Sequence, residues 1–203
     1  DFFPIPKFSS IKKTPISILF NDGGQAKLVR RNGMAILRLP KFNFRPGHAD
    51  AHHIDIWQNG TNWVRDAGSY SYALDIDEQD KFSGTEGHST VQLDSKNQMP
   101  RISRFLFGNW LCPKHIKINQ SKGIVSSSYF DSNKNFHSRI LMTTPDGWEI
   151  NDQINGGFNQ GVLRYILKNK DWSINNKKIE SDDFSLEVFS DSIDYFKMIN
   201  GYE

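Results

Sequence analysis

Two histidines and one aspartate lie beside turn-forming residues at three places in the chain, and together they offer a set of metal ligands. His48 follows a Pro-Gly pair, Asp66 precedes an Ala-Gly pair, and His88 follows a glycine. Two neutral imidazole nitrogens and one carboxylate oxygen form a donor set that zinc favours. The residue types therefore indicate a candidate metal site, provided that the fold brings the three side chains together.

A predicted hairpin explains how the aspartate returns to the neighbourhood of the first histidine. Residues 52–58 have the pattern of a strand, and Asn59-Gly60 is a signal for a two-residue type I′ turn. The residues after the turn form the return strand. This register places His53 opposite Asp66 and carries the carboxylate back to the strand end where His48 lies.

The same residues also have more ordinary explanations. A histidine beside an aspartate is commonly a hydrogen-bonded pair, and His53 with Asp66 fits a cross-strand ion pair. His52 and His53 compete with His48 as ligands, because all three stand near the same strand end. Spacing alone leaves the choice of ligand histidine open.

The elements that must position these residues are predicted to be strands. Turn signals such as Asp22-Gly23-Gly24 and Asn32-Gly33 separate short runs rich in β-branched and aromatic residues. Helical periodicity is weak, and the acidic segment 74–81 is expected to be a loop, with one helical turn as the alternative. Strands are predicted at residues 34–39, 89–93, 102–107, 123–129, 138–143, 148–154 and 184–188. The pattern predicts an all-β fold, an antiparallel two-sheet β-sandwich.

Length and composition are those of one domain with a substantial core. The chain has 203 residues and a formal net charge of +2, which gives no case for nucleic-acid or membrane binding. No apolar run approaches the roughly 20 residues of a membrane span, and no signal peptide is recognised. A single cysteine excludes an internal disulfide. We expect residues 1–20 to be a linker or wrapping segment and residues 21–203 to be the sandwich.

The run from about Gly33 to Pro113 resembles the C-terminal β-sandwich domain of the heparinase II/III-like polysaccharide lyases. The resemblance lies in the order and spacing of five phrases, namely Phe44–Ala51, Ile54–Trp57, Arg65–Tyr72, Phe82–Val91 and Gln98–Arg101. It implies a sandwich of the supersandwich type, preceded in the family by a helical toroid domain. It also implies an acidic polysaccharide substrate bound in the cleft between the two domains. The chain, which starts without Met, is then expected to be a piece excised from a longer protein.

The resemblance implies a metal site and a reaction. Relatives hold a divalent metal, usually zinc, on a His…Asp…His set, and the matching positions here are His48, Asp66 and His88. This match favours His48 over its two neighbouring rivals. The implied reaction is β-elimination at a uronic acid, in which a base removes the C5 proton and the glycosidic oxygen leaves C4. Neutralisation of the adjacent carboxylate supplies much of the transition-state stabilisation.

The chain departs from the family pattern in three ways. The helical domain, which carries most of the base and carboxylate-neutralising residues, is absent. Pro46 occupies the position where some relatives have a further histidine, and proline transfers no proton. Some relatives place a catalytic tyrosine between the aspartate and the third ligand, whereas Tyr70 and Tyr72 lie nearer Asp66 than such a residue should. Of these two we assign proton transfer to Tyr72.

These inferences predict the sandwich portion of a polysaccharide lyase for uronic-acid glycans such as glycosaminoglycans. The piece by itself is expected to be inactive, because the helical partner domain is missing. The full-length protein is expected to be periplasmic or secreted, with a cytoplasmic location left open. The main alternative is a non-catalytic carbohydrate-binding or structural module. A stand-alone metallohydrolase that activates water ranks last, because the sequence offers no obvious neighbouring base.

Overall fold

Short antiparallel strands joined by tight turns make up most of the computed structural model, which describes residues 16–71, 73–190 and 196–199. In chain order the elements are Ile18–Phe20 (β1), Gln25–Arg30 (β2), Gly33–Arg38 (β3), Ile54–Gln58 (β4), Thr61–Val64 (β5), the helix Ile76–Ser83 (α1), the 3-10 helix Thr85–Gly87, Val91–Leu93 (β6), Arg101–Ser103 (β7), Leu106–Phe107 (β8), Pro113–Asn119 (β9), Ile124–Phe130 (β10), Phe136–Thr143 (β11), Trp148–Asn155 (β12), Gly161–Leu163 (β13), Ser173–Asn175 (β14), Lys178–Ser181 (β15) and Phe184–Glu187 (β16).

Two main sheets form the sandwich that the sequence predicts. The first sheet pairs β1 to β5 in chain order, and the second has the order β12-β11-β10-β9. Three small sheets, β13-β6, β14-β15-β16 and β7-β8, accompany them. All the strand pairings are antiparallel, as hairpin connections between successive strands require. Within the described ranges, no helix has the length and hydropathy of a membrane span.

The hydrophobic core lies between the two main sheets. Alternate residues of β2, β3 and β4 point inwards and meet Val125 of β10 and Leu141 of β11, as the two-residue period of a strand dictates. The buried members are Ala26, Leu28, Ala35, Leu37, Leu39, Ile54, Ile56, Val64, Val125 and Leu141. A second cluster contains Ala49, Ala51, Met99, Phe107, Leu111 and Tyr129, so the loop that carries His48 has an apolar base of its own.

The β4–β5 hairpin has the predicted turn and an unpredicted bulge. Asn59 and Gly60 have φ angles of 51° and 78°, the left-handed values that a type I′ turn requires. Gln58 pairs with Thr61 as expected, but the register shifts between Ile56 and the next residue. Such an insertion increases the local twist and changes which residues face each other beyond it.

Two local predictions are wrong. The acidic segment 74–81 is largely helical, because the Asp75 carboxylate accepts the backbone amide of Glu78 at 2.8 Å and so caps the first turn of α1. Acidic residues in that turn also complement the helix dipole. The segment 102–107 is a hairpin of β7 and β8 with a turn in its middle, where one strand was predicted. A helix cap and a tight turn each depend on one or two residues, so the hydrophobic periodicity of a segment does not reveal them.

Helix α1 anchors the loop that carries His48. The backbone amide of Ala49 donates to the carbonyl of Ser83 at the end of the helix, at 2.8 Å. Arg101 of β7 donates to the Ser83 hydroxyl at 2.6 Å and to the Asp80 carboxylate at 2.5 Å. The helix end, the loop and β7 are therefore tied together on one side of the candidate site.

The segment expected to be a linker or wrapping segment ends in the first sheet. Ile18–Phe20 form β1 at the sheet edge and pair with residues 25–27 of β2. These three residues are therefore part of the first sheet. Residues 1–15 of the same segment lie outside the described residues.

We expect Leu141→Ala to lower the free energy of unfolding by about 2–5 kcal/mol, because Leu141 is fully enclosed between the sheets and the change leaves a cavity. Ile140→Ala, on the outward face of the same strand, is the matched control and should cost less than half as much. Urea denaturation followed by tryptophan fluorescence measures both values. Equal costs would contradict the assignment of the inward face.

Candidate metal centre

The three predicted ligand residues lie in irregular segments at one end of the sandwich. His48 precedes the turn that leads into β4, Asp66 lies two residues after β5, and His88 immediately follows the 3-10 helix. Gly87 is required for this last step, because a Cβ atom there would overlap the carbonyl oxygen of Phe82. Close backbone packing therefore sets where His88 enters the site.

The structure brings His48, Asp66 and His88 together. One potential ligand atom from each side chain lies within 4.8 Å of the others. His48 Nδ1 is 3.3 Å from His88 Nε2, and His88 Nδ1 is 2.8 Å from Asp66 Oδ2. The cluster is graded in exposure, since the side chain of His88 is 0% exposed and that of Asp66 is 36% exposed.

Hydrogen bonds fix the direction of the lone pairs. The carboxylate of Asp66 only accepts hydrogen bonds, so Nδ1 of His88 carries the proton that it donates. In neutral His88 the other ring nitrogen, Nε2, then holds a lone pair that faces His48. The second carboxylate oxygen, Oδ1, accepts the backbone amide of Gly68 at 2.6 Å. Asp66 thus orients His88, in the manner of carboxylates beside metal-bound histidines.

The geometry of the two rings fits a tetrahedral zinc ion. Zinc–nitrogen distances of about 2.0–2.1 Å at a tetrahedral angle separate two nitrogen ligands by about 3.3–3.4 Å. The facing nitrogens of His48 and His88 are 3.3 Å apart. Asp66 supplies the carboxylate of a His/Asp/His donor set. It would either bind the ion directly, after giving up its present hydrogen bonds, or stay hydrogen-bonded to His88 and orient that ring. The donors present therefore fit a divalent metal.

The two rival histidines make their hydrogen bonds to residues outside the cluster. Nδ1 of His53 accepts the backbone amide of Ser89 at 2.9 Å, and its Nε2 lies 3.4 Å from Asp55 Oδ2 and 3.6 Å from Asp66 Oδ2. The predicted proximity of His53 and Asp66 is confirmed despite the bulge. His52 turns towards the second sheet, where Nε2 lies 2.7 Å from the Ser127 hydroxyl. Of the three candidates, only His48 presents a ring nitrogen to His88 within 3.3 Å among the described contacts.

The pKa values of Asp66 and His48 are both lowered, which favours the protonation states that bind a cation. Burial alone would raise the pKa of Asp66, but the hydrogen bond and charge of His88, the charge of His53 and the amide of Gly68 lower that pKa to about 2. Burial, and then the neighbouring His88, lower the pKa of His48 below its ordinary 6.5. At neutral pH the site therefore offers a charged carboxylate and a neutral His48 imidazole, which has no proton to lose on metal binding.

Ser69 is a neighbour of the cluster that sequence reasoning missed. Its hydroxyl lies 3.3 Å from His48 Nε2, on the side of the ring away from His88. The next residue, Tyr70, is 75% exposed and stacks on Phe82 with ring centroids 5.3 Å apart. A serine three positions after an aspartate is no recognisable signal, because the contact depends on the left-handed turns at Gly68 and Tyr70. Tyr72 lies outside the described residues.

Comparison with known proteins defines the class of this domain. The family model described as "Heparinase II/III-like, C-terminal" matches residues 12–180. The chain belongs to the heparinase II/III-like family and carries its C-terminal domain. No curated protein sequence matches the chain.

Solved structures agree with the sandwich fold. The heparinase III BT4657 gene product matches with a TM-score of 0.66 and 18% identity over 81% of this chain and 26% of its own. The heparan sulfate lyase HepC from Pedobacter heparinus matches with a TM-score of 0.60 and 16% identity over 82% and 27%. The chain thus spans about a quarter of the length of these proteins.

We expect the stability of the metal-free protein to depend on pH through Asp66. A carboxyl group with a lowered folded-state pKa contributes stability above its unfolded pKa and loses it as pH falls through the folded value. The window here runs from about pH 4 down to about pH 2. Urea unfolding in the presence of a chelator should show wild-type protein more stable than Asp66→Asn at pH 5, with the difference shrinking across that window. A difference that stays constant with pH would contradict the paired carboxylate.

Proposed function

We propose that this chain is the β-sandwich portion of a polysaccharide lyase that cleaves uronic-acid-containing glycans by β-elimination. The observation that carries the proposal is the His48–Asp66–His88 cluster in a heparinase II/III-like domain. A solved relative of the same fold is titled a heparan sulfate lyase. We assign a divalent metal, most suitably zinc, to this cluster.

The chemistry needs positive charge and a proton carrier at one place. Removal of the C5 proton and loss of the oxygen on C4 form a C4–C5 double bond, and the leaving oxygen gains a proton. A divalent ion supplies positive charge that stabilises an adjacent carboxylate. Asp66 holds the ring of His88 in place at 2.8 Å, and Ser69 contacts His48 from the opposite side at 3.3 Å. We assign the proton transfer to the phenol of Tyr72, six residues after Asp66 in the sequence.

The proposed partner of this domain is a helical domain of the same protein. Base and carboxylate-neutralising residues would come from its loops, and an acidic polysaccharide would lie between the two domains. The sandwich alone would then bind metal and form one wall of the cleft without turnover. We further propose a periplasmic or secreted location, where such a substrate is accessible.

A non-catalytic carbohydrate-binding module is the second candidate function. Pro46 favours it, because this position holds a proton-transferring histidine in some relatives and proline offers no such group. Its carbonyl accepts the backbone amide of Phe107 at 3.4 Å, which is a packing role. Exposed Tyr70 beside the cluster offers an aromatic face to a sugar.

We expect close to one zinc ion per wild-type chain after exhaustive dialysis, measured by mass spectrometry of the metal. His48→Ala and His88→Ala should lose it, because each removes one of the two facing ring nitrogens. His115→Ala is the matched control, since His115 is exposed on β9 and contacts Ser126. Zinc retained in both cluster variants, or absent from the wild type, would rule out the site.

We expect the protein that carries both domains to release unsaturated uronates from an acidic glycan, detected by their ultraviolet absorbance. Tyr72→Phe should lower kcat by about 10²–10⁴-fold, the usual contribution of a positioned proton donor or acceptor. Tyr70→Phe is the control and should retain most activity. No product across a broad panel of uronate polymers, together with binding on a glycan array, would favour the binding module.

A further inference from the structure

Arg139 is a fully buried arginine between the two sheets, with 0% of its surface exposed. It lies in β11 directly opposite Asp152 of β12. Nε donates to Asp152 Oδ1 at 2.7 Å, and Nη2 donates to Oδ2 at 2.8 Å. This bidentate pair fixes the plane of the guanidinium group and leaves its remaining nitrogen, Nη1, facing away from the carboxylate.

Nη1 of Arg139 reaches the segments that carry the candidate metal centre. It donates to the backbone carbonyl of His52 at 2.6 Å and to that of Ser89 at 2.9 Å. His52 immediately precedes His53, whose Nε2 lies between Asp55 at 3.4 Å and Asp66 at 3.6 Å, and Ser89 immediately follows His88. One side chain of the second sheet therefore holds both segments by their peptide groups.

Ser89 connects Arg139 to the rings of His53 and His88. Its backbone amide donates to His53 Nδ1 at 2.9 Å, which places the proton of neutral His53 on Nε2. Its hydroxyl accepts the backbone amide of Ile166 at 3.0 Å. The position of Ser89 thus sets where His88 lies and which way His53 presents its proton.

The backbone at His52 needs the hydrogen bond from Arg139. The φ angle of His52 is 63°, a left-handed conformation that a non-glycine residue adopts at an energetic cost. The ring is held 2.7 Å from Ser127 and 3.3 Å from His137, which in turn contacts Asp152 at 2.7 Å. Asp152 is therefore shared between Arg139 and His137, and both lead back to His52.

The ion pair with Asp152 does not by itself explain a buried arginine at this position. Replacing a buried ion pair with apolar residues of similar volume is often neutral or stabilising, since the two charges are costly to desolvate. An apolar pair would leave the carbonyls of His52 and Ser89 without their present donor. Holding these carbonyls is a task that only a hydrogen-bonding side chain performs.

We propose that Arg139, oriented by Asp152, is a positioning residue of the candidate metal centre. It fixes the peptide groups at His52 and Ser89 and thereby the rings of His53 and His88. The inference rests on the proposed metal-binding function and adds to it a buried group, in the opposite sheet, on which metal affinity depends.

The test compares the double variant Arg139→Met/Asp152→Leu with wild type. The apolar pair keeps the core filled and leaves no unpaired buried charge. Zinc affinity, measured by competition with a chromogenic chelator, should fall about 10–100-fold, the usual effect of losing a group that orients a metal ligand. Val125→Ala, in the core of the neighbouring strand, controls for lost stability and should bind zinc like wild type. If the double variant does not fold, Arg139→Lys, which keeps the charge beside Asp152, replaces it.

A metal-free measurement separates this inference from the proposed function. Nitrogen chemical shifts of the His53 and His88 rings, recorded with a chelator present, should change in the double variant and not in Val125→Ala. Unchanged shifts with unchanged zinc affinity would overturn the positioning role. If wild-type protein binds no zinc, the proposed function fails and the ring shifts alone decide the inference.

Discussion

Backbone hydrogen bonding in buried loops is the constraint on which the site depends. Residues 49–53 and 85–90 lie outside the long strands but are mostly buried, so their peptide groups need partners other than a sheet ladder. Side chains supply many of them. Gln98 receives the amide of Ala51 at 3.0 Å and donates back to its carbonyl at 2.9 Å, and Thr90 donates to the same carbonyl at 2.9 Å. The polar residues at this end of the sandwich thus build a rigid base under the histidines.

This rigid base holds two imidazoles and a carboxylate close to one another in fixed orientations. The carboxylate of Asp66 takes one ring nitrogen of His88, and His48 faces the other. The hydrogen bonds of Asp66 stabilise its charge, whereas the ring nitrogens of His48 and His88 that face each other would be further stabilised by a cation bound between them. A divalent ion held there would carry positive charge at the cleft that we propose for a uronate.

Local signals predicted much of the fold. The Asn59-Gly60 turn and the strand segments at β3, β11 and β12 depend on neighbouring residues alone, and the structure confirms them. The bulge in β4 was not predictable, because it depends on how the hairpin packs. Helix α1 had a readable cap at Asp75, which the strand pattern around it concealed.

The candidate site was predictable only in part. Chemistry selected the residue types and left three histidines in competition, whereas the family resemblance selected His48. What separates His52 from His53 is a pair of distant partners, Ser127 and Ser89, far away in the sequence. No local pattern reports such contacts. The role of Tyr72 stays a prediction, as do the metal and the glycan.

The exposure gradient across the cluster has a kinetic consequence. His88 is enclosed on all sides, and the carboxylate of Asp66 is the member most open to water. Water or a chelator would therefore reach an ion held there from the Asp66 side, so exchange of that ion would begin at this carboxylate and not at His88.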